Sequence, residues 1–523
     1  MKEFLSKFSE LIGQLEKGRI PEKNMEEMVQ LYAGLTAEEK IKSIQILADV
    51  LKENYRAFFW FMSMLLERAK SAEALRHIEE LMLSEEIPLW ERIGNMLQMR
   101  RVLFAQQITD DGELKYTNQN LIYESIMREL EEKMGCRYPY IPYCQREKKV
   151  VIVINQIINI LHAPTRKMVN IYRFFKELGY EVEVYVADIE SRGIYWYNVH
   201  EMNNFFDRTT EFDHEIDREK IHGFNLRMTM ENYLYDLRGT VGKIWDESPE
   251  FVFELGNRTL VADLCRQFTT VVAMACSKEP TSTLAPIVAR YFYYSEEEDL
   301  EYRKYVAPWQ TVIDVKHVDQ QAVKNEGEEN RIRYKKEDFG ISEDQFVIVI
   351  AGNRLDVEIT EGFLKIIYRI LDLNEKFVIA YFGKCKGTEK IVSGSGYEDR
   401  MYFLGEQKDF REALAMADVF LNPPRSGGGT GGFYAILENV PVITLANCDV
   451  ESFTGEEFVC ESVEEMPALV ERYFTDSDFM ELQKENCKKR SREKTEVDNL
   501  GNFQKLCDLV KTFTLEKEAE YEG

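Results

Sequence analysis

Ala417-Asp418-Val419-Phe420-Leu421-Asn422-Pro423-Pro424-Arg425-Ser426-Gly427-Gly428-Gly429-Thr430-Gly431-Gly432-Phe433 is the stretch from which the rest of the chain can be read. Val419 to Leu421 are apolar and stop at Asn422 and two prolines, which cannot continue a strand interior. Five of the next eight residues are glycine. Phe433, Ile436 and Leu437 then share one helical face. A strand, a glycine loop and a helix in that order aim backbone N–H groups and a positive helix end at one spot, which suits a phosphate. Thr430, at the expected helix start, adds a hydroxyl. Glycine lets a ligand approach the backbone closely and permits positive φ. The simpler alternative is a flexible surface loop, but such a loop need not stand between two buried elements.

On either side of this stretch, strands alternate with helices. Phe346–Ala351 reads as a strand ending in Gly352-Asn353-Arg354-Leu355, and Thr360 opens a helix with Phe363, Ile366, Ile367, Ile370 and Leu371 on one face. Phe377–Phe382 ends in Gly383-Lys384-Cys385-Lys386-Gly387. Met401–Leu404 is a short strand, and Phe410, Ala413, Leu414 and Ala417 lie on a helix. Pro441–Leu445 is the last clear strand. Upstream, Val150–Ile154 is a continuous apolar run, the mark of a strand buried on both faces. Thr165 then caps a helix carrying Met168, Ile171, Tyr172, Phe175 and Leu178, closed by Gly179. Glu181–Ala187 follows as a second strand, with further candidates at Phe251–Glu254, Thr270–Ala275, Tyr291–Tyr294 and Thr311–Val315. This alternation predicts parallel, doubly wound sheets. Tyr195 to Trp245 is polar and aromatic and reads as an insertion near a substrate site. The charged residues 316–345 read as a hinge between domains.

Residues 1–147 carry helical patterns throughout. Phe4, Phe8, Leu11, Ile12 and Leu15 recur at helical spacing, and Thr36-Ala37-Glu38-Glu39 is a capping box. No helical repeat period is evident, and Phe58-Phe59-Trp60-Phe61 reads as core. The expected division is therefore a helical domain (1–147), a first Rossmann-like domain (148–330) and a second (340–515), in a chain of 523 residues. The formal net charge of −26 argues against nucleic acid or an anionic membrane surface as partner. No apolar run is long enough to span a membrane, and the N-terminus is an amphipathic helix, not a signal peptide. Nine dispersed cysteines without a Cys-x-x-Cys fit reduced thiols in a cytoplasm and no zinc site.

Two sheet domains in tandem, with a glycine-rich loop in the second, resemble the GT-B glycosyltransferases. Met401-Tyr402-Phe403-Leu404-Gly405 and Ala415 to Pro423 look like the nucleotide-sugar half of that fold. The paired glutamates of the large retaining class are absent. Thr430-Gly431-Gly432 is instead similar to the phosphate loop of the inverting O-GlcNAc transferase family, which includes the cytoplasmic bacterial protein N-glycosyltransferases. Ile350 to Leu355 looks like that family's segment carrying a basic residue to the nucleotide diphosphate, a role that falls to Arg354. Leu161-His162-Ala163-Pro164-Thr165-Arg166 lies where the family places a histidine facing the sugar. Ser277 to Thr283 resembles its proline-threonine loop. Tyr434 stands where the family carries an acid, and Gly431 replaces the second threonine of its pair. The resemblance implies two Rossmann-like domains facing across a cleft, a UDP-sugar donor, a protein acceptor and inversion at the anomeric carbon. The helical domain would bind the acceptor or a partner, or mediate self-association.

Transfer from a nucleotide-sugar needs the leaving diphosphate neutralised, the sugar oriented and an acceptor proton received. Gly428, Gly429, Thr430, Gly431 and Gly432 supply neutral donors. Arg354 supplies a fixed charge able to bind two oxygens, against the simpler reading of a surface ion pair with Asp356 or Glu358. Lys384 and Arg425 are further candidates for the diphosphate. His162 is the candidate contact to sugar or acceptor, and Glu254 a second candidate base, each against a capping role, for Glu254 with Asn257 or Arg258. No Asp-x-Asp stands beside these candidate diphosphate residues, so an obligatory divalent metal is not expected, and no cofactor is expected beyond the UDP-sugar donor. Two rival readings remain. One is a retaining transferase acting on polysaccharide or lipid glycan; the other is a catalytically degenerate partner of an active enzyme.

Overall fold

The computed structural model describes the chain apart from residues 16–19, 106–117, 161, 201–203, 207, 257, 293, 319–333, 408–409, 426, 447 and 523, and the side chains of 105, 495, 521 and 522. Half of the proposed hinge, residues 319–333, thus lies outside the described residues.

Among the described residues, seven helices open the chain: α1 Lys2–Leu15, α2 Glu22–Ala33, α3 Ala37–Leu51, α4 Tyr55–Ala69, α5 Ala72–Met82, α6 Leu89–Ala105 and α7 Asn118–Met134. The Thr36–Glu39 capping box forms reciprocally at the start of α3, satisfying two backbone donors that the helix leaves open. Phe59 and Phe61 are fully buried in α4. This bundle does not close a core of its own. Its apolar faces run into Val151, Val153, Tyr185, Val252 and Val271 on one face of the first sheet, forming one continuous hydrophobic cluster.

The first sheet contains β1 Glu147–Ile154, β2 Glu181–Ile189, β3 Thr210–Ile216, β4 Glu219–Met228, β5 Pro249–Leu255, β6 Thr270–Met274, β7 Ile287–Arg290 and β8 Thr311–Asp314. Their order is β3-β4-β2-β1-β5-β6-β7-β8. Only β3 runs antiparallel among these, paired with β4. The second sheet contains β9 Phe346–Gly352, β10 Phe377–Gly383, β11 Met401–Gly405, β12 Val419–Leu421, β13 Val442–Leu445 and β14 Val459–Cys460, in the order β11-β10-β9-β12-β13-β14. All its pairings are parallel. Both sheets reverse direction of growth beside their first strand, at β1/β5 and at β9/β12, and open α/β sheets bind ligands outside the carboxyl ends of strands at such switch points.

Three expectations are corrected. Tyr195 to Trp245 is not simply an insertion, because it contains the hairpin β3–β4, and β4 is an integral strand against β2. Its alternation is half polar since the edge strand β3 exposes one face. The strand expected at Tyr291–Tyr294 lies four residues earlier, at β7; Tyr291 and Phe292 are buried beyond its end. The last helix, Asn499–Glu522, does not stay with the second sheet. Phe503, Leu506, Cys507 and Val510 pack into the first, beside α8 (Ala163–Glu177). Among the described residues, no helix is long and apolar enough to cross a membrane.

Candidate functional site

The glycine loop leaves β12 through Asn422, Pro423 and Pro424 and enters the helix Gly429–Leu437. Gly428 caps that helix at φ 96°, a left-handed conformation costly to residues with a Cβ. Its carbonyl accepts from the N–H groups of Gly431 (2.9 Å) and Gly432 (3.3 Å). The N–H groups of Gly429 and Thr430 precede the first intrahelical bond and remain available to an anion. The glycine run also answers to packing. A Cβ on Gly429 would stand 2.8 Å from the Phe453 ring, and one on Gly432 2.7 Å from Val450. Both contacts belong to the helix Asp449–Thr454 lying across the loop.

Arg425 lies against this loop, its Nε 2.6 Å from where a Cβ on Gly428 would stand, but its guanidinium is taken up by protein partners. It is 2% exposed, and it donates from Nε to Asn422 Oδ1 (2.8 Å), from Nη1 to Glu358 Oε2 (2.6 Å) and from Nη2 to the Ala351 carbonyl (2.7 Å). Its role is to pin the exit of β12 to the end of β9, and its expected diphosphate role is corrected accordingly. Lys384 is likewise elsewhere: it is exposed, 3.8 Å from Glu406 on the β11 side of β10, two strands from the glycine loop.

Arg354 is the cation that the fold brings to the loop. It follows β9 and caps the short helix Leu355–Glu358. Its Nη2 lies 3.0 Å from Glu358 Oε1, and its side chain remains 37% exposed. A Cβ on Gly427 would sit 3.2 Å from that same nitrogen. Burial lowers the Arg354 pKa from its usual value, opposed by Glu358. Glu358 itself is buried and bridges both arginines; burial raises its pKa, but Arg425 and Arg354 together hold it below the ordinary carboxylate range. The ion pair weighed as the simpler reading does form, to Glu358, with the carboxylate buried and Arg354 partly exposed. Sequence spacing, Arg354 to Glu358 at i,i+4, gave a partial signal for it.

His162 stands on the first sheet domain and is close enough to Arg354 of the second to feel its charge. It occupies the N-cap position of α8, with Nδ1 2.9 Å from Thr165 Oγ1 and Nε2 3.5 Å from Gln156 Nε2. Burial, then Arg354, then Arg166 push its pKa down to about 4, so the imidazole is neutral near pH 7. One turn on, the Arg166 guanidinium lies 5.2 Å from the centre of the Tyr434 ring on the glycine-loop helix. The loop Ser277–Thr283 also crosses between domains: the Lys278 N–H donates to Asp449 Oδ1 at 2.8 Å. Burial raises Asp449 to about 7. Lys167, close by, is lowered by burial to about 8. The glycine loop therefore lies where the two sheet domains meet.

Glu254 is placed inside the first domain with no exposed surface. It accepts from the Thr259 N–H (2.9 Å) and the Thr283 hydroxyl (3.0 Å). Burial, then Asp263, raises it to about 8. Its partners are Thr259 and Thr283 rather than the Asn257 or Arg258 weighed as capping partners, and Asn257 lies outside the described residues. Two contributors escaped sequence reasoning altogether. Asp449 carried no motif, and Phe104 of α6 places its ring 4.5 Å from the Arg354 guanidinium.

Two Rossmann-like sheet domains in contact define the GT-B fold of glycosyltransferases. Among solved structures, a mutant of the Thermobaculum terrenum O-GlcNAc transferase aligns over 95% of this chain and 91% of its own, at TM-score 0.57 and 12% identity. The E. coli trehalose-6-phosphate structure bound with UDP-2-fluoro glucose aligns over 69% of this chain and 99% of its own, at TM-score 0.50 and 11% identity. No protein-family model and no curated protein matches the sequence.

Proposed function

We propose that the chain is a glycosyltransferase that moves a sugar from a UDP-sugar to a protein acceptor, with inversion at the anomeric carbon. The observation that carries this reading is the meeting, where the two sheet domains join, of open helix-start N–H groups, the half-exposed Arg354 and the neutral His162. The diphosphate docks on the Gly429 and Thr430 N–H groups, and Arg354 offers its free edge to the same oxygens. Negative charge grows on the diphosphate as the sugar departs, so donors already in place favour departure. His162, uncharged, orients the sugar or the incoming acceptor group through Nε2. The first domain and the helical domain form the acceptor side. A UDP-sugar is supported by the UDP-2-fluoro glucose held by the E. coli relative in fold, and a protein acceptor by the likeness to an O-GlcNAc transferase.

Calorimetric titration with UDP, ADP, GDP and CDP tests the donor. UDP is expected to bind tightest, and Arg354→Ala to weaken it about 10- to 100-fold, as loss of a charge-assisted hydrogen bond implies. Equal affinity for all four nucleotides would overturn the reading. Proton NMR of the product's anomeric centre reads the stereochemistry. UDP binding without transfer or hydrolysis would instead favour the catalytically degenerate partner, a reading to which Tyr434, engaged by Arg166 where the family carries an acid, lends support.

A further inference from the structure

We propose that Phe104, contributed by the helical domain, is a positioning residue of the donor site: its ring fixes the plane of the Arg354 guanidinium for the diphosphate. The inference rests on the UDP-sugar reading above. Glu358 holds Arg354 along one edge, at Nη2. A single edge contact leaves the long side chain free to swing about that bond. The Phe104 ring, 4.5 Å from the guanidinium carbon, covers its face. Stacking on a face restrains the plane and leaves the remaining N–H groups for an oxyanion. A Cβ on Gly427 would stand 3.3 Å from Phe104 Cζ and 3.2 Å from Arg354 Nη2, so ring, guanidinium and glycine loop meet at one corner.

The helix that carries the ring is itself anchored. Gln98 and His200 exchange two hydrogen bonds, 2.9 and 3.0 Å. Arg100 pairs with Glu279 of the interdomain loop, and Arg101 Nη2 donates to the Asn198 carbonyl at 3.1 Å. These bonds tie the end of α6 to the first sheet domain. The helical domain's core runs through the neighbouring Val102 and Leu103, whereas Phe104 is half-buried against a charged group of the second sheet domain. An aromatic residue spent on a cation of another domain is better explained by orienting that cation than by filling the bundle.

The test uses the full chain and its Phe104→Ala, Phe104→Leu and Phe104→Trp variants, alone and with Arg354→Ala. UDP and UMP affinities are measured by calorimetry, and melting temperature by circular dichroism. Phe104→Ala and Phe104→Leu are expected to weaken UDP about tenfold, and Phe104→Trp to stay near wild type, because the effect comes from an aromatic face. UMP, with one phosphate fewer, loses less. With Arg354→Ala, Phe104→Ala adds no further loss. Wild-type UDP affinity in a folded Phe104→Leu variant would overturn the inference. So would an equal loss with and without Arg354. Wild type failing to bind UDP would instead remove the donor-site reading itself.

Discussion

The pKa of His162 is the most direct probe of the contact between the two sheet domains. A free imidazole titrates near 6.5, and burial with two neighbouring arginines brings His162 down to about 4. At 1.36 kcal/mol per pH unit, protonating it in place costs about 3.4 kcal/mol more than in water. The folded chain therefore binds fewer protons than the unfolded chain between about pH 4 and 6.5. Stability from this group is fully present above 6.5 and is lost as pH falls toward 4. Arg354 lies on the other sheet domain, so its share of the effect exists only if the domains face each other. Arg354→Gln should raise the His162 pKa, by less than burial lowers it. UDP should raise it too, because its phosphates offset the arginine charge. Carbon–proton NMR of labelled histidine reads this directly; six histidines give few peaks, and His162→Gln assigns the one of interest. A His162 pKa of 6.5 in the free chain, or one unmoved by Arg354→Gln, would refute this interdomain geometry.

Three further outcomes follow from the same packing. Arg425→Met removes the more buried of the two partners of Glu358 and should destabilise the chain by about 3 kcal/mol or more in urea unfolding, since a buried carboxylate loses compensation. Gly428→Ala must adopt a left-handed conformation with its Cβ 2.6 Å from Arg425 Nε, and should cost about 2 kcal/mol and weaken UDP. Glu254→Gln should leave UDP affinity within about twofold while flattening the pH dependence of stability. The folded state holds the Glu254 proton up to about pH 8 while the unfolded state releases it near 4.5, so wild-type stability falls as pH rises between those values.

The two sheets were largely legible because strand signals are local. Continuous apolar runs such as Val150–Ile154 and Phe377–Phe382 announce strands covered on both faces, and β12 spans the expected Val419–Leu421. Where the reading missed, the deciding contact lay far along the chain. Tyr291 and Phe292 have strand-like chemistry, yet they pack against Lys167, Phe453 and His317, residues far away in the chain. The helix Asn499–Glu522 gives no sign of its partner, because an apolar helical face fits either sheet equally well. Arg425 and Arg354 follow their strands in similar settings, and sequence alone could not tell which would turn inward.

The order of strands, the glycine loop and the cations available near it were therefore set by the chain's own local pattern, since hydrophobic period and turn chemistry act over a few residues. Glu358 reaches both arginines from one short helix, and the further bonds to Asn422 and the Ala351 carbonyl made Arg425 the scaffold while Arg354 stayed partly exposed. Tertiary packing likewise placed His162 close enough to Arg354 to feel its charge and brought Phe104 over its guanidinium. Those relations join residues tens to hundreds of positions apart, and only a folded interface, where burial and charge act through space, could fix them.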